Sequence, residues 1–131
     1  MHQYEQLAVW QRGMTLAASL QRDARTATRY LDHTAWNQIM RAAMSIPANI
    51  AEGAMRSSPR DFANFLSMAI GSAAELHSLL QIASASELIP PPRSMEAADE
   101  ARQLRSMLVS LRGRILRPEQ RIGRQDKTPG A

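Results

Sequence analysis

The side chains with the most distinctive chemistry are arginines gathered near the end of the chain. Between residues 102 and 124 the sequence has seven arginines and a single acid, Glu119. The seven are Arg102, Arg105, Arg112, Arg114, Arg117, Arg121 and Arg124. The guanidinium fork matches phosphate oxygens, so this cluster favours contact with nucleic acid. Two alternatives stay open: a solvated helix face beside Asp99 and Glu100, and the arginine-rich coding that follows from a GC-rich genome.

The net charge of +4 also originates in this C-terminal quarter. Residues 1–92 have seven arginines and seven acids, whereas residues 93–131 have eight arginines, one lysine and five acids. A basic helix face followed by a basic tail would bind phosphate without reading base sequence, and either RNA or DNA fits that chemistry.

No arrangement of side chains in the sequence indicates catalysis, a cofactor or a metal. Di-iron helix bundles use Glu-x-x-His pairs, but Ser78 stands three positions after Glu75, and His77 is a lone histidine. Phosphate-binding loops, dinucleotide fingerprints and nucleophile elbows are absent from the sequence as well. We therefore predict a protein that is not an enzyme; an unrecognised active site between subunits is the weaker alternative.

The first half of the chain predicts two helices with apolar residues three and four positions apart. The first is expected from about Tyr4 to Thr28, with Trp10 in its core stripe. The second is expected to start at Thr34 and to end at Gly53, which we interpret as a C-terminal cap.

The second half predicts two more helices. The third begins at Ser58-Pro59 and ends before the three prolines at 90–92, which we interpret as an extended connector. The fourth runs from a cap at Ser94 to Leu116. Short connections between four helices predict an all-α fold, an antiparallel up-down-up-down four-helix bundle.

Pro47 interrupts the second predicted helix, where a proline removes a backbone hydrogen bond at a cost of about 3 kcal/mol. We expect a bend there, which either shapes a contact between subunits or is a tolerated kink. Asn49 either bonds to the carbonyls that the proline frees or is exposed.

Glu52 and Glu75 stand out among the charged residues of the chain, together with Arg56 and Arg60. Glu75 lies between Met68 and Ile82 on one flank of the third helix. If that flank is buried, its carboxylate needs a partner, and the expected partner is Arg41 or Arg56. A structural ion pair is favoured over a catalytic one.

Length and composition indicate the number of domains, the cellular location and the tendency to self-associate. The 131 residues suggest one domain, predicted as a bundle over residues 1–117 and a flexible basic tail over residues 118–131. The absence of cysteine, of a signal peptide and of a long apolar stretch predicts a cytoplasmic protein without a membrane partner. Helices one and three are apolar over more than one face, which favours self-association.

Several short motifs point to a family. They include Tyr4-Glu5, Val9-Trp10-Gln11, SIPANIAEG at residues 45–53, and Gly71-Ser72 with Glu75. With these motifs the chain resembles the bacterial four-helix bundle proteins encoded within intervening sequences of 23S rRNA genes. That group is similar to the accessory variability proteins of diversity-generating retroelements.

The resemblance implies a bundle that assembles into a ring-like homopentamer. For the retroelement relatives it also implies a basic surface that engages nucleic acid and a reverse transcriptase. The combined prediction is a non-enzymatic, homo-oligomeric bundle that binds nucleic acid non-specifically through the arginines of the fourth helix. The alternative is a protein-interaction scaffold that binds no nucleic acid.

Overall fold

The computed structural model describes residues 3–26 and 33–117 of the chain. These residues form one short 3₁₀ turn and four α-helices, with no β-strand among them, so the predicted all-α class is confirmed. The elements are the turn Tyr4–Gln6, α1 Ala8–Thr26, α2 His33–Ala54, α3 Pro59–Ala85 and α4 Pro91–Ile115. None of the helices in these residues combines the length and apolarity needed to cross a lipid bilayer.

The four helices pack as a square in which each runs antiparallel to its neighbours along the chain. Contacts join α1 to α2, α2 to α3, α3 to α4 and α4 back to α1. The guanidinium of Arg12 donates to Gln103 Oε1 over 3.0 Å, and that of Arg93 donates to Asp23 Oδ2 over 2.7 Å. These two bonds place the start of α1 beside the later half of α4, and the end of α1 beside its start.

Aliphatic side chains and alanines fill the space between the helices. Each helix contributes one apolar stripe, and the small alanines let the backbones approach closely. The largest fully buried apolar side chains are Leu16, Leu20, Ile39, Ile46, Ile50, Leu66, Leu76, Leu80, Leu104 and Leu108.

The start of α3 follows the sequence prediction. Ser58 is the N-cap residue, and its hydroxyl accepts a hydrogen bond of 3.0 Å from the backbone N–H of Asp61. Pro59 occupies the first helical position, where a backbone N–H would have no hydrogen-bond partner within the helix. The Asp61 carboxylate lies near the positive end of the helix dipole.

The predicted start of α4 at a Ser94 cap is wrong. The helix begins at Pro91, so two of the three prolines open it and do not form an extended connector. Proline suits the first turn of a helix as well as it suits an extended segment. Ser94 is fully buried one turn in, where its hydroxyl lies 3.2–3.3 Å from the carbonyl oxygens of Ile89, Pro90 and Pro91.

The predicted role of Gly53 as a helix cap is also wrong, because α2 continues through it to Ala54. Gly53 is buried where α2 meets the first turn of α3. A Cβ atom built on it would lie 2.6 Å from Phe65 Cβ and 3.3 Å from the carbonyl oxygen of Phe62. The residue is therefore needed for a close approach of two helices and not for a left-handed turn.

The remaining boundaries shift by a few residues. The sequence predicts the first helix from Tyr4, but Tyr4–Gln6 form the separate 3₁₀ turn, and the extended conformation of Leu7 divides it from α1. The second helix begins at His33, one residue before the predicted cap Thr34. The predicted end of the first helix at Thr28 lies outside the described residues, as does the predicted tail 118–131.

The packing at Gly53 gives a stability prediction with an internal control. Gly53→Ala should lower the free energy of unfolding by about 1–3 kcal/mol, because the new methyl group meets Phe65 Cβ, which is fixed to the backbone. Gly71→Ala in the middle of α3 should raise it by up to about 1 kcal/mol, since that position faces open space. Urea denaturation measures both, and a Gly53→Ala variant as stable as Gly71→Ala would contradict the close-approach explanation.

Candidate nucleic-acid interface

The two ends of the bundle differ in charge. The starts of α1 and α3 and the later halves of α2 and α4 share one end, where seven arginines face three acids, Glu5, Glu52 and Asp61. We call it the basic end and define it by Arg12, Arg56, Arg60, Arg105, Arg112, Arg114 and Arg117. At the opposite end of the described bundle, five arginines are outnumbered by six acids.

At the opposite end, Arg93 is tied between two helices. It is half-buried and forms 2.7 Å ion pairs with Asp23 of α1 and Glu96 of its own helix, and it also donates to Ser19 Oγ. Burial alone would lower the pKa of Arg93, but the hydrogen bonds and attraction of Asp23 and Glu96 raise it above its usual value. Arg93 therefore joins α1 to α4 and offers little free charge to a ligand.

Arg102, the first of the seven predicted arginines, is also engaged. Its guanidinium pairs with Asp99 one turn earlier in α4, and Gln103 donates to the same carboxylate over 2.7 Å. The hydrogen bond from Arg102, and next the one from Gln103, lower the pKa of Asp99 below its usual value. Asp99 therefore stays ionised and offsets the charge of Arg102.

Four arginines at the C-terminal end of α4, three in its later half and one just after it, have no acidic partner among the described residues. Arg112 lies on the edge of α4 that faces α3, where it contacts Ser67, and Arg105 lies two turns before it on the same edge of the helix. Arg114 lies beside Leu7 on the edge that faces α1, and Arg117 is exposed just after the helix. The structure thus separates Arg102 from Arg105, Arg112, Arg114 and Arg117. The predicted residues Arg121 and Arg124 lie outside the described residues.

Ser67 of α3 orients Arg112, a role that the sequence alone does not indicate. Arg112 Nη1 donates to Ser67 Oγ over 3.0 Å, while the Ser67 hydroxyl donates to the carbonyl of Ala63. The serine therefore accepts from Arg112 and is itself held by the backbone. The bond uses one of the five guanidinium N–H groups, so the others can reach a phosphate. The two partners are 45 positions apart in the sequence, so residue spacing within one helix could not reveal the bond.

Arg56 of the basic end contributes little free charge. It forms a 3.0 Å ion pair with Glu52 one turn earlier in α2, and its guanidinium lies 4.8 Å from the centroid of the Phe65 ring. This contact covers one face of that ring. Glu52, in the last turn of α2, thus holds Arg56 in the segment that follows the helix.

The prediction for Glu75 is wrong in its main point. The flank that it shares with Met68 and Ile82 is exposed, so the carboxylate needs no buried partner. Glu75 and Arg41 line the same open cleft between α2 and α3, but no ion pair joins Glu75 to Arg41 or Arg56 in the described part of the chain. Alternation between apolar and charged residues cannot show whether a flank faces a core or solvent.

An apolar groove lies on the other side of the bundle, between α1 and α2. Its volume is about 600 Å³, and Trp10, Met14, Met44 and Pro47 are among the residues that line it. We call it the α1–α2 groove. The predicted core residue Trp10 is only half-buried here, with its ring edge-to-face against Tyr4 at 5.4 Å, whereas Trp36 is buried.

Pro47 stays inside a continuous helix and contacts α1. A Cβ built on Gly13 would lie 3.5 Å from Pro47 Cδ, an ordinary van der Waals distance, so α1 passes close to the proline ring at this point. Asn49 is half-buried, and its amide donates to the carbonyl of Ser45 over 2.8 Å and not to the carbonyl of Ala43 that the proline frees.

The fold and the surface together define a four-helix bundle with one basic end and one apolar groove. A family model described as the 23S rRNA-intervening sequence protein matches residues 5–110. The chain belongs to this family, which confirms the resemblance drawn from its motifs.

A solved structure from Bacteroides thetaiotaomicron, described as a protein with unknown function from the S23 ribosomal protein family, is similar to this chain. The two share 23% sequence identity with a TM-score of 0.75, and the match covers 79% of this chain and 97% of the other. At that identity the similarity shows the fold alone. No curated protein sequence matches the chain.

Proposed function

We propose that this protein is a non-enzymatic, self-associating four-helix bundle that binds nucleic acid through the basic end without reading base sequence. The observation that supports it most is the separation of paired from unpaired arginines along α4. Arg93 and Arg102 have carboxylate partners, whereas Arg105, Arg112, Arg114 and Arg117 have none among the described residues.

The unpaired guanidinium groups are suited to phosphate. The charge of an arginine paired with a carboxylate is already offset by that carboxylate, whereas an unpaired arginine exchanges only water and counterions when it binds a phosphate. Arg112 is also held in place by Ser67, so its side chain gives up less entropy when it binds. These groups are spread around the C-terminal end of α4, and contacts from such arginines to phosphates position a protein on a nucleic acid without reading its bases.

Self-association is proposed to use the opposite face of the bundle. Met14 and Met44, which flank the α1–α2 groove, are 42% and 57% exposed, and a second copy that covered them would remove this apolar surface from water. Because α1 and α2 lie across the square from the α3–α4 edge, a copy bound there leaves Arg105 and Arg112 open. The family resemblance implies five subunits.

The α1–α2 groove also supports a second candidate function. If a protein partner binds in this groove, the chain acts as an interaction scaffold, and the arginines of α4 have no role in binding nucleic acid. A reverse transcriptase as that partner is an expectation that rests on the resemblance to the retroelement proteins.

Removal of the unpaired arginines should weaken nucleic-acid binding. The variant Arg105→Gln/Arg112→Gln/Arg117→Gln should bind a labelled nucleic acid about ten-fold more weakly, and the slope of log K against log salt should fall by about one for each phosphate that the variant no longer neutralises. Fluorescence anisotropy over a salt series measures both quantities.

The matched control removes three arginines from the other end of the bundle. Arg22→Gln/Arg25→Gln/Arg41→Gln changes the net charge by the same amount, and all three side chains are exposed. It should keep most of the wild-type affinity. Equal weakening in the two triple variants would show that net charge, and not the basic end, governs binding.

A charge placed in the α1–α2 groove should disrupt self-association. Met44→Glu should lower the molar mass measured by light scattering, because the carboxylate would have to be desolvated at the contact between copies. Met95→Glu introduces the same charge at a methionine that is 50% exposed but lies outside the groove, so its mass should match the wild type. An unchanged mass for Met44→Glu would exclude the groove as the interface.

A further inference from the structure

The described aromatic rings are already engaged in contacts within the bundle. Trp36 and Phe62 are buried, Tyr4 and Trp10 contact each other at the α1–α2 groove, and the guanidinium of Arg56 covers Phe65. Proteins that bind single strands without sequence preference stack bases on accessible aromatic rings. The helix α4 itself contains no aromatic residue, so its arginine surface presents guanidinium groups and no ring to a ligand.

The spacing of two arginines fits a ligand with two rows of phosphates. Arg105 and Arg112 are seven residues apart on one edge of α4, which places their Cα atoms about 10 Å apart along the helix axis. In a double helix, the phosphate rows of the two strands border grooves that are about 6 Å and about 12 Å wide. From Cα atoms at this spacing, two long arginine side chains can reach phosphates on either side of a groove.

The bond between Arg112 and Ser67 strengthens this arrangement. It holds Arg112 toward α3, whereas Arg117 and Arg114 lie around the outer side of α4 and its α1 edge. The positive charges thus follow a convex helix surface. A duplex carries one charge for about every 1.7 Å of its axis, so phosphates of both strands lie within reach of charges that are spread around one helix. A flexible single strand would have to be ordered on it without the gain from base stacking.

We propose that the ligand of this surface is a nucleic-acid double helix, held by the phosphates of both strands against the later half of α4. This inference rests on the proposed function and specifies which form of nucleic acid the basic end binds. Recognition through phosphates leaves the base sequence unread.

The test compares labelled duplexes with their own separated strands. A DNA duplex, an RNA duplex of the same sequence and each single strand are titrated with the full-length protein at low and at physiological salt. At least one duplex should bind roughly ten-fold more tightly than its strands, with a steeper salt dependence. The two duplexes also report whether the A-form or the B-form helix is preferred.

Two single variants locate the duplex on the protein. Arg112→Gln should weaken duplex binding several-fold and lower the salt slope by about one. Arg22→Gln, which removes an exposed arginine from the other end of the bundle, should leave both values near those of the wild type.

The outcomes separate this inference from the proposed function. Single strands that bind as tightly as either duplex overturn the duplex assignment but leave nucleic-acid binding in place. Equal effects of Arg112→Gln and Arg22→Gln overturn the placement on α4. If no duplex or single strand binds at low salt, the proposed function fails and this inference fails with it.

Discussion

The contact between α2 and α3 at Gly53 fixes the geometry on which the rest of the bundle depends. With only hydrogen at that position, the last turn of α2 lies directly against Phe62 and Phe65 in the first turns of α3. The capped start of α3 at Ser58 then determines how α3 is rotated. This rotation places Phe62 and Leu66 in the core and Ser67 on the edge that meets α4. The position of Arg112 is thus linked to a glycine on a different helix.

Local chemistry determines the features that could be predicted from the sequence. The combination of Ser58, Pro59 and Asp61 is typical of a helix start, and α3 begins there in the structure. Gly53 is ambiguous in the sequence because glycine serves both a left-handed cap and a close helix contact, and only the neighbouring phenylalanines decide between them. Pro91 and Pro92 are ambiguous in the same way, since a fixed φ suits a first helical turn and an extended segment equally.

The candidate interface was predictable in part. The cluster of arginines could be read from the chain, but the sequence could not show which of them have acidic partners. Arg102 pairs within its own helix at a spacing that helical geometry allows, so that contact could have been expected. Arg93 pairs with Asp23 across 70 residues of sequence, and Arg112 meets Ser67 across 45. Those contacts depend on how the helices pack, which the apolar pattern of each helix alone does not determine.

We thus propose that the bundle binds its two partners on opposite sides. Nucleic acid contacts the α3–α4 edge, and a second copy of the chain binds the α1–α2 groove. NMR observation of the arginine side-chain Nε–H groups during titration with a DNA duplex tests this assignment most directly. The resonances of Arg105, Arg112 and Arg117 should shift first and furthest, while those of Arg22 and Arg25 and the methyl group of Met44 stay in place. Shifts centred on Arg22 and Arg25, or spread evenly over all arginines, would contradict it.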